Sequence, residues 1–371
     1  MKTKARVIAF YLPQFYPTPE NDEWWEPGFT EWTNVARAKP LFKGHYQPRI
    51  PRDLGFYDLR VPETREKQAQ LAREAGVEGF CYWHYWFGNG KRLLAEVFQE
   101  VVESGKPDFP FCLCWANHSW YQKTWDPNKP NKLLMEQTYP GVEDYKNHFM
   151  AMLPAFKDKR YMKTKDGKLI FGVFSSYDIP DQQVFFNTWN TLAKENNLKG
   201  FEFFAFIQGS KQLSKLPVGM YDRIVYDALH DTYEQYSDFS FTRYKNAIKI
   251  RLGIPVKMAN YSDYVSAAIK RFNDLPNITP CIDPMFDHSP RSSNRSIILH
   301  NNSPKLWREL CKKTKEIVET NRDKDNLLFI KAWNEWGEGN YMEPDTKYGK
   351  AYIEEAGKVF NNSCNNSFIK I

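Results

Sequence analysis

The chain has 371 residues, 42% of them hydrophobic and 26% charged, with 23 Pro and no biased tract, a balance that excludes disordered, fibrous and collagen-like classes. At this length roughly three quarters of the extended chain's surface is buried on folding, so a large core forms without disulfides. The net charge of +6 comes from 51 basic and 45 acidic residues, and the basic clusters, Lys157 to Arg160 or Lys312, Lys313 and Lys315, are too short to mark a nucleic-acid partner.

The amino-terminal Met1-Lys-Thr-Lys-Ala-Arg carries the charge of a signal peptide. The apolar run behind it, Val7 to Phe15, is broken by Pro13 and Gln14 and lacks a small-residue cleavage site, so no export signal is expected. No stretch reaches the length of a membrane span, and the expectation is a soluble, cytoplasmic protein without a membrane partner. In chain order, short apolar, aromatic or β-branched runs predict strands at Arg6–Phe15, Val77–Trp86, Phe109–Asn117, Leu169–Ser175, Phe201–Ile207, Ile224–Leu229, Thr279–Phe286 and Leu327–Trp333. Helical stretches separate most of them, such as Pro62–Ala75, opened by Pro and closed by Gly76, and Asp181–Asn196, followed by Gly200. This alternation is the count of a (β/α)₈ TIM barrel over residues 1–360, with 361–371 as a frayed tail. The sixth strand is the weakest expectation, because Pro217 and Gly219 interrupt any helix in the short link before it. Long excursions follow the first, third and sixth strands, all at the carboxyl ends where barrel enzymes build their sites. Six scattered cysteines read as buried, reduced thiols.

The densest constellation closes the eighth strand, Lys331-Ala-Trp-Asn-Glu-Trp-Gly-Glu-Gly-Asn-Tyr-Met-Glu-Pro. Glu335 and Glu338 lie three residues apart just past a strand end, where Gly337 and Gly339 permit a tight course. Close like charges separate their proton affinities, leaving one carboxyl as acid and the other as base, as glycosidic cleavage requires. The competing reading is a solvent-facing turn whose acids cap a helix or pair with Lys331 or Lys347. Flanking Trp333 and Trp336 favour catalysis, since an exposed cap needs no tryptophan. Glu343 reads equally as a structural acid and as a ligand.

Phe, Tyr and Trp make up 16% of the chain, which fits either stacking on sugar rings or an aromatic-rich core. Tyr11 on the first strand, Tyr82, His84 and Trp86 on one face of the second, and Trp115 and Asn117 at the end of the third are candidates to bind substrate. His84 reads equally as a core histidine. Asp287 and Arg291 after the seventh strand, and Asn334 and Trp336 beside the glutamates, complete the candidate set; for Asp287 and Arg291 an ion pair between them is the safer reading. Neither metal nor cofactor is expected. His84, His118 and His288 form no ligand-spaced pair, and Gly88-Asn-Gly90 is too short for a phosphate loop.

The runs Tyr11-Leu-Pro-Gln-Phe, Asn21-Asp-Glu-Trp-Trp, Gly28-Phe-Thr-Glu-Trp-Thr-Asn-Val, Gly44-His-Tyr-Gln-Pro-Arg, Asp53-Leu-Gly-Phe-Tyr-Asp, Phe111-Cys-Leu-Cys-Trp-Ala-Asn and Trp333-Asn-Glu-Trp resemble the WbsX-type family. That family comprises glycosyltransferases of surface-polysaccharide loci and is related to glycoside hydrolase family 99. The resemblance spans essentially the whole chain. It implies the same barrel, a bacterial role in O-antigen, lipopolysaccharide or capsule metabolism, and an oligo- or polysaccharide as partner. Family 99 contains retaining, metal-independent endo-α-mannosidases and α-mannanases whose two glutamates lie in an Asn-Glu-Trp-x-Glu-Gly segment, matched by Asn334 to Gly339. Carried over, Glu335 is the base that helps the substrate's 2-hydroxyl attack the anomeric carbon through a 1,2-anhydro sugar. Glu338 is the acid that protonates the leaving oxygen and then activates water. The chain departs from the pattern at His118-Ser-Trp, where relatives continue Glu-Asn-Trp, and at Phe286-Asp-His-Ser-Pro-Arg, where they have Phe-Asp-Asn-Thr-Pro-Arg. An acidic contact beside the cleft is thereby lost. Three readings result: a glycoside hydrolase, a glycosyltransferase using an activated donor, and a glycan-binding module without turnover.

Overall fold

The structure, a computed structural model, describes residues 4–122, 131–236, 248–249, 251–255, 257–320 and 325–361. The expected strands all form and hydrogen-bond in parallel into a closed barrel in the order of the chain. They are β1 (Arg6–Tyr11), β2 (Gly79–His84), β3 (Phe111–Trp115), β4 (Leu169–Val173), β5 (Phe201–Gln208), β6 (Arg223–Asp227), β7 (Thr279–Ile282) and β8 (Leu327–Ile330). β1 closes the ring on β8, with Ile8 opposite Phe329. The sixth strand stands where the sequence places it, between β5 and β7, although the link before it holds only the four-residue helix Ser210–Leu213. Most strands are shorter at the carboxyl end than their apolar runs. There the chain leaves the ladder and the same run continues into the loops that build the upper face.

β2, β3 and β4 are buried along their full length, because their inner side chains meet across the barrel and their outer ones meet helices. The interior is aromatic. Phe10 stacks on Trp83 at 4.6 Å and reaches across to Phe206 at 5.1 Å and Phe329 at 5.4 Å. Alternation then turns the next residues outward: Tyr11 donates to Gln68 of the helix Pro62–Glu74 at 2.8 Å, and Tyr82 packs on Phe98 of the helix Glu96–Ser104. Much of the aromatic excess is therefore core. The five cysteines among the described residues are free and buried; Cys364 and the expected tail 362–371 lie outside them.

The three long excursions leave carboxyl ends as expected. After β1 come the helices Pro19–Trp24 and Glu31–Arg37, after β3 a hairpin of Trp120–Gln122 with Lys132–Met135, and after β6 the helix Leu229–Tyr236. Among the described residues no helix is long and apolar enough to cross a membrane.

Gly172 of β4 sits between larger inward neighbours, and a Cβ there would lie 2.7 Å from Cys114 Sγ and inside the Phe204 ring. Gly172→Ala is expected to overpack the barrel and to lower unfolding stability by about 1–3 kcal/mol, measured by urea denaturation.

Candidate active site

Beyond β8 the chain folds back at once. Asn334–Glu335 pairs antiparallel with Asn340–Tyr341, and Trp336–Glu338 makes the turn between them. Several buried contacts fix this hairpin. Asn334 accepts from Leu12 N–H at 2.8 Å and donates to Leu12 O at 3.0 Å, tying it to β1. Trp336 stacks on Tyr341 at 3.7 Å and donates to Glu343, which also takes hydrogen bonds from Tyr57 and Gln68. Burial pushes the Glu343 carboxyl up to about 7. Those three partners make Glu343 a structural acid. Asp287 N–H donates to Glu338 O at 2.7 Å, joining the loop after β7 to the turn.

Glu335 and Glu338 meet on one cation. Arg291 Nη2 lies 2.6 Å from Glu335 Oε1, and Nη1 lies 3.0 Å from Glu338 Oε1. A third carboxylate, Glu31, accepts from Arg291 Nε at 3.1 Å. Thr30 caps the helix that begins at Glu31, accepting a hydrogen bond from Trp32 N–H, and so sets this acid in the helix's first turn. Gly337 lies beneath the Glu31–Arg291 pair: a Cβ there would collide with Glu31 Oε2 and stand 2.8 Å from Arg291 Nε. The glycine between the two acids is what lets the guanidinium come down over both.

The surroundings treat the two acids differently. Glu335 has only 7% of its side chain exposed, and burial, reinforced by Glu338 and Glu31 and opposed by Arg291, pushes its carboxyl up to about 8. Glu338 keeps 21% exposed. Burial works against its charge too, but Lys331, 3.8 Å from Oε2, together with Arg291, His288 and His230, holds it below the usual carboxylate range. Lys331 is itself buried, 3.6 Å from Asp227 and over the Phe286 ring, and Glu338, Asp227 and Asp283 keep it charged. The surroundings therefore raise the proton affinity of Glu335 and lower that of Glu338.

The other predicted residues separate into two groups. Asp287 and Arg291 do not pair with each other. Asp287 is held by His45 at 2.8 Å, Gln47 at 2.7 Å and Arg49 at 3.6 Å, a buried junction between the loops after β1 and β7. Burial opposes its charge, but His45 and Arg49 keep its carboxyl well below the usual range. Tyr11, Tyr82, His84, Trp86 and Trp115 lie on the outer side of the sheet rather than with the glutamates. His84 Nε2 is 2.7 Å from His148 Nε2, Trp86 stacks on that imidazole and donates to Asp144, and Trp115 donates to Trp86 O. Burial pushes His84 down to about 3, so this is a neutral histidine pair within packed aromatics. Asn117 is buried, and both ends of its amide are spent on Ser175 and Tyr139. The inner face of β2 carries Trp83, packed on Phe10 and Phe206, and Tyr85 just past its end feels the charges of Glu335 and Arg291. Sequence reasoning missed Glu31, Tyr85 and the bridging role of Arg291. The one local signal for Glu31 was a capped acid followed by Trp in an aromatic loop, and its partner stands 260 residues away. Among the described residues no group of three or more His, Cys, Asp or Glu is placed to hold a metal.

Comparison with known proteins agrees with this architecture. Residues 7–356 match the family model "Glycosyltransferase WbsX". The uncharacterized protein WxcX of Xanthomonas campestris pv. campestris is 33% identical over 356 residues, covering 94% of this chain and 49% of its own. The chain thus spans about half the length of the curated relatives it matches. Among solved structures, a glycoside hydrolase-like protein superposes with a TM-score of 0.61 at 15% identity, covering 98% of this chain and 96% of the other. A GH99 endo-alpha-mannosidase from Bacteroides thetaiotaomicron, in complex with BIS-TRIS-propane, superposes with a TM-score of 0.56 at 14% identity, covering 97% of each. At these identities the structures establish the shared fold, while the family match over residues 7–356 establishes that the chain belongs to the WbsX glycosyltransferase family.

Proposed function

We propose that this chain breaks a glycosidic linkage of a bacterial surface polysaccharide, with Glu335 and Glu338 as the acid–base couple of a retaining, metal-independent hydrolase. The observation that carries the reading is the arrangement of the couple: two carboxylates on one guanidinium, at 2.6 and 3.0 Å, with surroundings that split their proton affinities. A cap or a surface ion pair needs neither the burial nor the split.

In the forward step Glu335 takes the proton of the substrate's 2-hydroxyl as that oxygen attacks the anomeric carbon. The bond to the leaving oxygen breaks, and Glu338 supplies its proton. In the second step Glu338 draws a proton from water, the water opens the 1,2-anhydro ring at the anomeric carbon, and Glu335 returns the proton to the 2-oxygen. These roles need the proton on Glu338 when substrate is bound, whereas the surroundings of the free site favour it on Glu335. Both arrangements contain the same single proton, so the pH dependence belongs to the pair. Arg291 contacts both acids and stabilises whichever is ionised.

A second reading, transfer from an activated sugar donor, is favoured by the description of the family. Calorimetric binding of a nucleotide sugar, with transfer and no hydrolysis, would favour it over the first.

Two outcomes are expected. Glu335→Gln is inactive on all glycosides, with kcat down at least about 10³-fold, whereas Glu338→Gln loses comparable activity on oligosaccharides but regains much of it on dinitrophenyl glycosides, which need no acid. Unchanged turnover of an oligosaccharide by Glu338→Gln would defeat the assignment. The pH profile of kcat/KM is expected to be a bell. Activity falls above about pH 8 as Glu335 loses the shared proton, and falls on the acid side only below the ordinary carboxylate range, where Glu338 becomes protonated.

A further inference from the structure

Arg291 serves a second place. With Arg37, Lys39 and Arg295 it lines a hollow of about 420 Å³ between the end of the helix Glu31–Arg37 and the turn 289–295, and no Asp or Glu is among the lining residues. Ser289, Ser292, Ser293 and Asn294 of the turn are its other polar lining residues. The volume lies in the range of small-ligand sites. Four cations around one hollow repel one another, and the acids that pair with Arg37 and Arg291 stand outside the lining. Arg37 is matched by Glu26 at 2.7 Å in a pair with 68% and 41% of its side chains exposed, which water screens, while Arg291 leans on the glutamates. Lys39 is exposed. A guanidinium has five N–H donors. The single N–H of Nε goes to Glu31 and Nη2 lies 2.6 Å from Glu335 and 2.9 Å from Glu31, so the donor left over is the second N–H of Nη1, beside Glu338.

We propose that this hollow binds an anionic substituent of the glycan, a carboxylate or a phosphate, carried beside the linkage that is cleaved. The proposal rests on the catalytic reading only for that last clause; the preference of the hollow for anions stands on its lining. An anion seated there competes with Glu335 and Glu338 for Arg291. Charge on the substrate thereby loosens the clasp on the two acids at the moment the sugar arrives, which couples recognition to the freeing of the catalytic pair. A neutral glycan offers Arg291 nothing in exchange.

The test uses the full chain and small probes first. Acetylation of Lys39, followed by mass spectrometry, is expected to slow at least about threefold in millimolar glucuronate or inorganic phosphate and to be unaffected by glucose; the stronger of the two anions identifies the source of charge. Acidic surface oligosaccharides are then compared with their carboxyl-reduced twins, and phosphate-bearing ones with dephosphorylated twins. The charged member is expected to bind at least about tenfold more tightly, and Lys39→Gln with Arg295→Gln to bring that ratio close to one at unchanged melting temperature. Equal protection by glucose, no protection by either anion, or equal affinity within each pair overturns the proposal. Anion-selective binding without consumption of any glycan leaves the hollow standing and removes the catalytic reading. Equal consumption of charged and neutral twins does the reverse.

Discussion

The upper face of the barrel is organised by one positive charge that cannot be given up. The guanidinium of Arg291 stays protonated at any pH the protein meets. Glu31 from the loop after β1 and Glu335 and Glu338 from the hairpin after β8 converge on it from opposite ends of the chain. Three carboxylates drawn this close would otherwise repel strongly or take up protons. Arg291 lets them share a site, and because the three sit at different depths and beside different neighbours, they do not share it equally. Lys331, buried between Asp227 and Glu338, adds a bias that lowers the proton affinity of the outer acid while burial raises that of the inner one. A second junction, Asp287 with His45, Gln47 and Arg49, holds the same loops together without entering that exchange.

Much of the fold could be read from the chain because parallel barrel strands are buried on both faces and appear as short uninterrupted apolar runs. The two glutamates were also legible, being local: three residues apart, framed by Trp and Gly, directly after a strand. What alternation could not decide is which face of a strand turns inward. On β2 both faces are aromatic, so Tyr82, His84 and Trp86 could not be told from Trp83 and Tyr85 by pattern, and the first set proves to face the helices. Nothing in the spacing of residues joins Glu31 to Arg291; only closure of the ring does.

The amides at strand ends show a different limit. Asn117 and Asn334 stand where a hydroxyl-binding group would be useful, yet Asn334 is spent on backbone and Asn117 on backbone and the Tyr139 hydroxyl. The reason is a matter of accounting for hydrogen bonds. A strand that leaves its ladder within a buried mouth strands amide and carbonyl groups, and a side-chain amide, with a donor and an acceptor, is the compact way to satisfy both. Sequence shows that such a residue is polar and near the mouth, but not whether water, sugar or backbone receives its bonds.

The tie between Asn334 and Leu12 has a temporal consequence. As the polypeptide leaves the ribosome, its first strand emerges long before the last, and until residues 327–341 follow, β1 has no neighbour on one side and Leu12 no amide to hold it. The segment that completes the cylinder is the same one that carries the two acids. A nascent or truncated chain can bury most of its core and still lack the two acids, so the face they share with Arg291 is completed only when the seam closes.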